Sequence, residues 1–247
     1  MNNAQTALGY DLFRGILDDV PALPKVTINT INQYSFCLAD KDVTFREALK
    51  TSDVLLPDGI GIVAAEILLS GRKIRKISGS TIHKHLLIRL NNEGGSCFYL
   101  GSSETTLQKI KDRIAVEYPA IKVKFYAPPF KSAFSDSENT KMIEEINSFN
   151  PDVLFIGMTA PKQEKWATRF KEEINASVIC SVGAVFDFYA GTTKRPGKLW
   201  INLGLEWLGR LISEPKRMWR RYLYYGPIFV YLIIKRKFVN NSSLVPD

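Results

Sequence analysis

Cysteine and histidine are both scarce. Cys37, Cys97 and Cys180 are scattered with no CxxC pair, so neither a disulfide framework nor a zinc ribbon is expected. The two histidines, His83 and His85, stand two apart on an expected helix and so face different ways, with no third metal ligand nearby. The first residues, MNNAQTALGYDLF, have no basic start and no long apolar run, which argues against a secretory signal. No stretch reaches about 18 consecutive apolar residues, so no ordinary transmembrane helix is expected. No internal repeat, low-complexity tract, GxSxG or Walker sequence appears.

What is present is the balance of a globular protein. Of 247 residues, 45% are hydrophobic and 23% charged, enough to bury a core without staples in one domain, or one domain with an appendage. The net charge of +8 is unevenly placed. Residues 1–193 hold 22 Lys/Arg and 22 Asp/Glu, whereas residues 194–247 hold 11 and 3, so the whole excess lies in the last 54 residues. A neutral body with a basic tail points to an anionic partner: a membrane surface, a nucleic acid or a phosphorylated substrate.

Residues 1–193 alternate short apolar runs with amphipathic stretches. Strands are expected at Val26–Thr30, Val54–Leu56, Ser96–Leu100, Ile121–Tyr126, Val153–Gly157 and Val178–Val182. Helices are expected at Phe45–Lys50, Ile60–Leu69, Ile82–Leu90, Thr105–Glu117, Glu138–Ser148 and Lys162–Lys171. Apolar strands alternating with helices predict an α/β fold, a mostly parallel sheet covered on both faces. Residues 194–247 read as helices only, a basic aromatic appendage. Leu199–Ile212 is one expected helix, and Ser213 and Pro215 resemble the N-cap and first turn of the next. Gly226-Pro227 reads as a break before Ile228–Ile234, a run too short to span a bilayer. That run suits either a membrane interface or packing on the body.

Three glycine turns follow strands. In LLPDGIGIVA the pattern GxGxxA formally fits a dinucleotide fingerprint, but no acidic residue occurs from Ile67 to Asn92 to hold a ribose. The better reading is that Gly59 and Gly61 let backbone approach a ligand, with Asp58 projecting into the crevice or capping the helix. In GMTAPKQEKW, Lys162 and Gln163 stand in a first helical turn, where a nearby anion would offset the unfavourable dipole, or where the lysine is simply solvated. In SVGAVFDFYAG, Asp187 among aromatics is placed to bond a nucleoside or to tie its own loop. Asp40-Lys41-Asp42 matches the bare DxD pattern of metal-dependent sugar transferases but precedes a helix, where Asp is common in caps.

Taken together these segments resemble the WecG/TagA/CpsF family of bacterial glycosyltransferases. The matching pieces are Thr30-Ile31-Asn32, LLPDGIGIV at 55–63, FYLGSS at 98–103, GMTAPKQEKW at 157–166, GAVFDFYAG at 183–191 and GLEWLGRLISEPKRMWRRYL at 204–223. The resemblance implies a Rossmann-like α/β body with a C-terminal helical appendage that completes the site and meets the membrane. It implies metal-independent, inverting transfer of N-acetylmannosamine or a related hexose. The donor would be a UDP-sugar and the acceptor a polyprenyl-diphosphate-linked saccharide, in polysaccharide or teichoic-acid-like synthesis. Asp58 falls on the family's proposed base. Thr30, Asn32, Gly59, Gly61, Gly101, Lys162, Gln163 and Asp187 fall in its motifs as binding residues, and Arg217, Arg220 and Arg221 on its appendage arginines. KISGST puts Lys76 and Thr81 where the family usually has Arg and Asp, and Lys76 supplies charge without a bidentate fork. No cofactor is implied. The expected partners are the two substrates and an anionic membrane surface, with no nucleic acid, and a homo-oligomer stays open. The expected location is the bacterial cytoplasm, peripheral on the inner face of its membrane.

Three rival readings are weaker. A nucleotide-sugar oxidoreductase or epimerase lacks the ribose acid. A nucleic-acid binder has no use for three glycine turns at strand ends. A non-catalytic membrane-associated protein is kept alive by Lys76 and Thr81.

Overall fold

A computed structural model describes residues 6–20, 24–193, 197, 200 and 205–242, without the side chains of 240–242. Six strands form one parallel sheet: β1 (Val26–Ile31), β2 (Val54–Pro57), β3 (Ser96–Gly101), β4 (Lys122–Tyr126), β5 (Val153–Gly157) and β6 (Val178–Ser181). Their spatial order is β2-β1-β6-β5-β3-β4. All six lie where the sequence predicts them; β2, β3, β5 and β6 read as apolar runs because a strand buried on both faces has no need of polar alternation, whereas the edge strand β4 alternates Lys122 and Lys124 with Val123 and Phe125.

Side chains of each strand alternate between two faces. Val26, Ile28, Tyr99, Phe155 and Cys180 point to one face. There they meet α4 (Gly79–Glu93), α5 (Glu104–Glu117) and α8 (Val185–Tyr189) through Leu86, Ile110 and Phe186. Phe98, Leu100, Ile156 and Ile179 point the other way, to α6 (Asp136–Phe149) and α7 (Lys162–Phe170). Ile31 and Leu55 extend that second face under α1 (Gln33–Lys41), α2 (Val43–Lys50) and α3 (Ile60–Ser70). His83 is part of the first core, with Nε2 at 2.7 Å from the Tyr99 hydroxyl; burial lowers its pKa to about 3 and keeps it neutral. The three cysteines are buried and free.

Helix α1 is absent from the expected elements. Its stretch QYSFCLADK has a weak apolar stripe, but its N-cap is clear: Asn32 Oδ1 accepts from the Ser35 N–H and Ser35 Oγ from the Asn32 N–H. The DxD pattern resolves as turn chemistry too. Asp42 caps α2 through the Phe45 N–H and pairs with Lys165 of α7 at 2.5 Å.

The C-terminal region departs further from expectation. Of the helix expected over Leu199–Ile212, positions 199 and 201–204 lie outside the described residues, and α9 (Glu206–Ser213) is the helix that follows. Ser213 ends α9 rather than capping the next helix; Glu214 is the N-cap of α10 (Pro215–Trp219), with Pro215 at its first position. A π-helical turn, Arg220–Tyr224, leads straight into α11 (Tyr225–Ser242). Gly226-Pro227 therefore does not break the chain. Pro227 sits in the first turn of α11, directly after the wider π-helical turn. Helix α11 packs on α1 and α3, burying Tyr225, Phe229 and Ile233 in the second core. The ring of Phe229 stands edge-on to Phe36 at 5.4 Å. Its outer side leaves Val230, Tyr231, Ile234 and Phe238 exposed. Among the described residues no helix is long and apolar enough to cross a membrane.

Candidate active site

The carboxyl ends of the strands open into a cavity of about 1190 Å³, the position where open α/β sheets bind ligands. Three turns shape its floor. After β2, the Asp58 N–H bonds the Ile31 carbonyl at 2.8 Å and Gly59 takes φ +99° to start α3. Gly59 and Gly61 make room for Gln33, since a Cβ on Gly61 would stand 2.5 Å from Gln33 Cγ. The side chain of Gln33 fills the space that this glycine pair leaves. After β3, Gly101 has φ +116°, and a Cβ there would meet the Gly157 carbonyl oxygen at 2.7 Å. After β6, Gly183 takes φ +56° under the amide of Gln163.

Eleven of the thirteen residues singled out from the sequence line this cavity: Thr30, Asn32, Asp58, Gly59, Lys76, Gly101, Lys162, Gln163, Asp187, Arg217 and Arg221. Gly61 and Arg220 do not; Gly61 lies behind Gln33, and Arg220 is exposed on the π-turn. The side-chain oxygen of Asn32 is engaged as the cap of α1. Lys162 does not offer a solvated charge: its Nζ donates to the Lys131 carbonyl at 2.6 Å and lies 3.9 Å from the centre of the Phe134 ring. Burial lowers its pKa, and Lys131 adds to the effect.

The appendage forms the opposite wall. Lys76 of the body pairs with Glu206 of α9 at 3.0 Å. Arg217 of α10 lies 3.7 Å from Asp187 and 2.9 Å from Glu214. Asp187 has its pKa raised by burial, an effect that Arg217 opposes. Arg221 is largely buried with its guanidinium 4.8 Å from the centre of the Tyr34 ring.

Among the cavity residues that the sequence reading does not single out are Gln33, Glu164, Arg210 and Tyr222. Arg210 lies over the Phe188 ring at 5.1 Å, and its Nε and Nη2 are buried without a hydrogen-bond partner among the described residues. Buried cationic donors left unmatched fit an anionic ligand. Tyr222 has its phenol pKa raised by burial, against the pull of Arg210 and Arg221, with smaller upward pushes from Glu206 and Asp58. Arg210, Arg217 and Arg221 sit on three successive short helical segments. No single helical period links them, which is why a pattern search passes over Arg210.

Among the described residues no group of three or more His, Cys, Asp or Glu is placed to hold a metal ion. The profile of the WecG/TagA/CpsF glycosyl transferase family matches residues 11–243. The chain belongs to this family. It is a glycosyltransferase, and the strand-end cavity is its candidate active site. Similar proteins include one from Bacillus subtilis (strain 168), 32% identical over 79% of this chain and 74% of its own. Others come from Bacillus spizizenii (25% identical; 78% and 72% covered) and Staphylococcus aureus strain MW2 (27% identical; 78% and 73%). All three are named N-acetylglucosaminyldiphosphoundecaprenol N-acetyl-beta-D-mannosaminyltransferase.

Proposed function

We propose that this glycosyltransferase moves N-acetylmannosamine or a related hexose from a UDP-sugar to a saccharide carried on a polyprenyl diphosphate, with inversion. The observation that carries this reading is the meeting of the body's Asp58 with the appendage's Arg210, Arg217 and Arg221 on one cavity. Its volume exceeds the roughly 300–1,000 Å³ usual for one drug-sized ligand, which suits two substrates side by side. The names of the relatives support the acceptor class.

In the proposed step an acceptor hydroxyl attacks the anomeric carbon. The bond from that carbon to the diphosphate oxygen breaks, and its electron pair leaves with UDP. Asp58 takes the hydroxyl proton. Arg210, Arg217 and Arg221 meet the charge developing on the diphosphate. The exposed Trp219, Leu223, Tyr231, Ile234 and Phe238, with Lys235 and Lys237 beside them, are the surface we assign to an anionic bilayer at the inner face of the cytoplasmic membrane.

The test is a transfer assay with a short-chain lipid-diphosphate acceptor and a panel of UDP-sugars, read by mass spectrometry. Asp58→Asn is expected to lower turnover by about 10²–10⁴-fold, the usual worth of a general base, with UDP-sugar affinity nearly intact. Turnover by that variant within tenfold of wild type sinks the assignment of the base.

A further inference from the structure

Gln163 and Glu164 are neighbours in the first turn of α7, 4% and 1% exposed, and both line the cavity. Gln163 Nε2 donates to Glu164 Oε1 at 2.8 Å. Their other oxygens, Gln163 Oε1 and Glu164 Oε2, are buried without a hydrogen-bond partner among the described residues. A buried acceptor left unmatched points to a donor that arrives with a ligand.

A glutamine amide has two ends of nearly the same shape and opposite hydrogen-bonding sense. A carboxylate can only accept, so ionised Glu164 takes the Nε2 end and leaves Oε1. We propose that Glu164 is a positioning residue: it holds the Gln163 amide so that Oε1 is presented as an acceptor to an O–H or N–H group of a carbohydrate ligand in the cavity. This rests on the transferase reading above and adds to it what one wall of the site asks of the sugar, a hydroxyl or acetamido N–H rather than an acceptor.

The hold depends on charge. Burial raises the Glu164 carboxyl to about 7, against the opposing pulls of Gln163, its own backbone N–H and Arg221. The strands under α7 (β1, β5 and β6) carry no charged side chain. Helix α2 brings Arg46, Glu47, Lys50 and its cap Asp42, which pairs with Lys165 of α7. The remaining cation of that first turn, Lys162, points to the Lys131 carbonyl. Arg221 reaches in from the appendage. Below pH 7 the carboxyl is neutral and has an O–H to donate, so the amide is free to turn and offer its donor end to the ligand instead.

Two variants test this, Glu164→Leu and Glu164→Gln, in steady-state transfer with separate KM values for donor and acceptor. Glu164→Leu is expected to lose at least tenfold in kcat/KM, mostly through one KM, with Tm unchanged or raised because a buried carboxyl is gone. Glu164→Gln, whose amide can donate as well as accept, is expected to show at every pH the raised KM that wild type shows below pH 7. In wild type the affected KM rises as pH falls through 7; in Glu164→Gln it stays flat. The Gln163 side-chain NH₂ signals in ¹⁵N NMR are expected to titrate near pH 7 in wild type and not in Glu164→Gln. Glu164→Leu within threefold of wild-type kcat/KM overturns the proposal. So does a Glu164→Gln pH profile like that of wild type, which decides the matter alone if the leucine variant does not fold. The NMR titration seen in a chain that transfers no sugar from any UDP-sugar leaves the Gln163–Glu164 hold standing and removes the UDP-sugar reading of the site.

Discussion

Replacing Phe229 by alanine separates the appendage's packing from its charge. Phe229 is 6% exposed, and its ring stands nearly perpendicular to Phe36 of α1, at an interplanar angle of 86°. Truncating a buried phenylalanine costs about 3–5 kcal/mol. A whole domain of this size is stable by only about 5–15 kcal/mol. If α11 and the sheet melted as one unit, Tm would fall by roughly 6–20 °C. The contacts of Phe229 lie in the second core, however, and the strands keep their helices on the first face. The expected result is a local opening of α11, with the adjoining π-turn that carries Arg221 and Tyr222 losing its anchor. Hydrogen exchange followed by mass spectrometry reads this as faster exchange in α11 and in the facing α1, with slow exchange kept in β3 and β5. Transfer falls with it. Val230→Ala next door is the control: Val230 is 55% exposed, so its change stays within about 0.5 kcal/mol. Unchanged protection of α11 together with unchanged transfer in Phe229→Ala refutes the idea that this docking holds the cavity wall in place.

Other consequences follow from the same packing. Gly157→Ala puts a Cβ into the ring of Phe186, itself 1% exposed and unable to retreat, so a loss of about 1–3 kcal/mol is expected in urea denaturation; unaltered stability contradicts the contact. Glu164→Gln should stabilise the chain at pH 8 relative to pH 5. The folded-state pKa is raised from 4.5 to about 7, so the stability this group supplies to wild type is whole below about 4.5 and is lost as pH climbs through 7. The gain is on the order of 3 kcal/mol, and a variant-to-wild-type difference that does not grow with pH refutes the shift. The pair Lys76–Glu206 ties body to appendage, and the swap Lys76→Glu with Glu206→Lys should recover about 1 kcal/mol relative to the sum of the single changes. A double-mutant cycle with no coupling shows that the pair does not hold the two together.

Much of this architecture is legible in the chain. The inner strands announce themselves as apolar runs because they are buried on both faces, and Asp58, Lys162 and Asp187 are marked because glycines follow or precede them at strand ends. Helix α1 carries only a weak apolar stripe, and its one clear sequence mark is the capping box that Asn32 forms with Ser35 three residues on. Glu164 looked like one more charged residue of a first helical turn; nothing local says that it is 1% exposed. From the sequence Lys162 reads as facing an anion or as solvated, and it is a carbonyl 31 residues away that takes its Nζ.

The basic appendage divides in the same way. Its excess of charge, its aromatics and its helical character are properties of composition and short-range pattern, and the sequence alone determines them. Which of its arginines face the cavity, and whether its last helix lies on the body or apart from it, depend on contacts across nearly the whole chain, such as Phe229 on Phe36 and Lys76 on Glu206. Those choices are made by burial and charge pairing between elements, and residues separated by 130 positions carry no mark of each other until the fold brings them together.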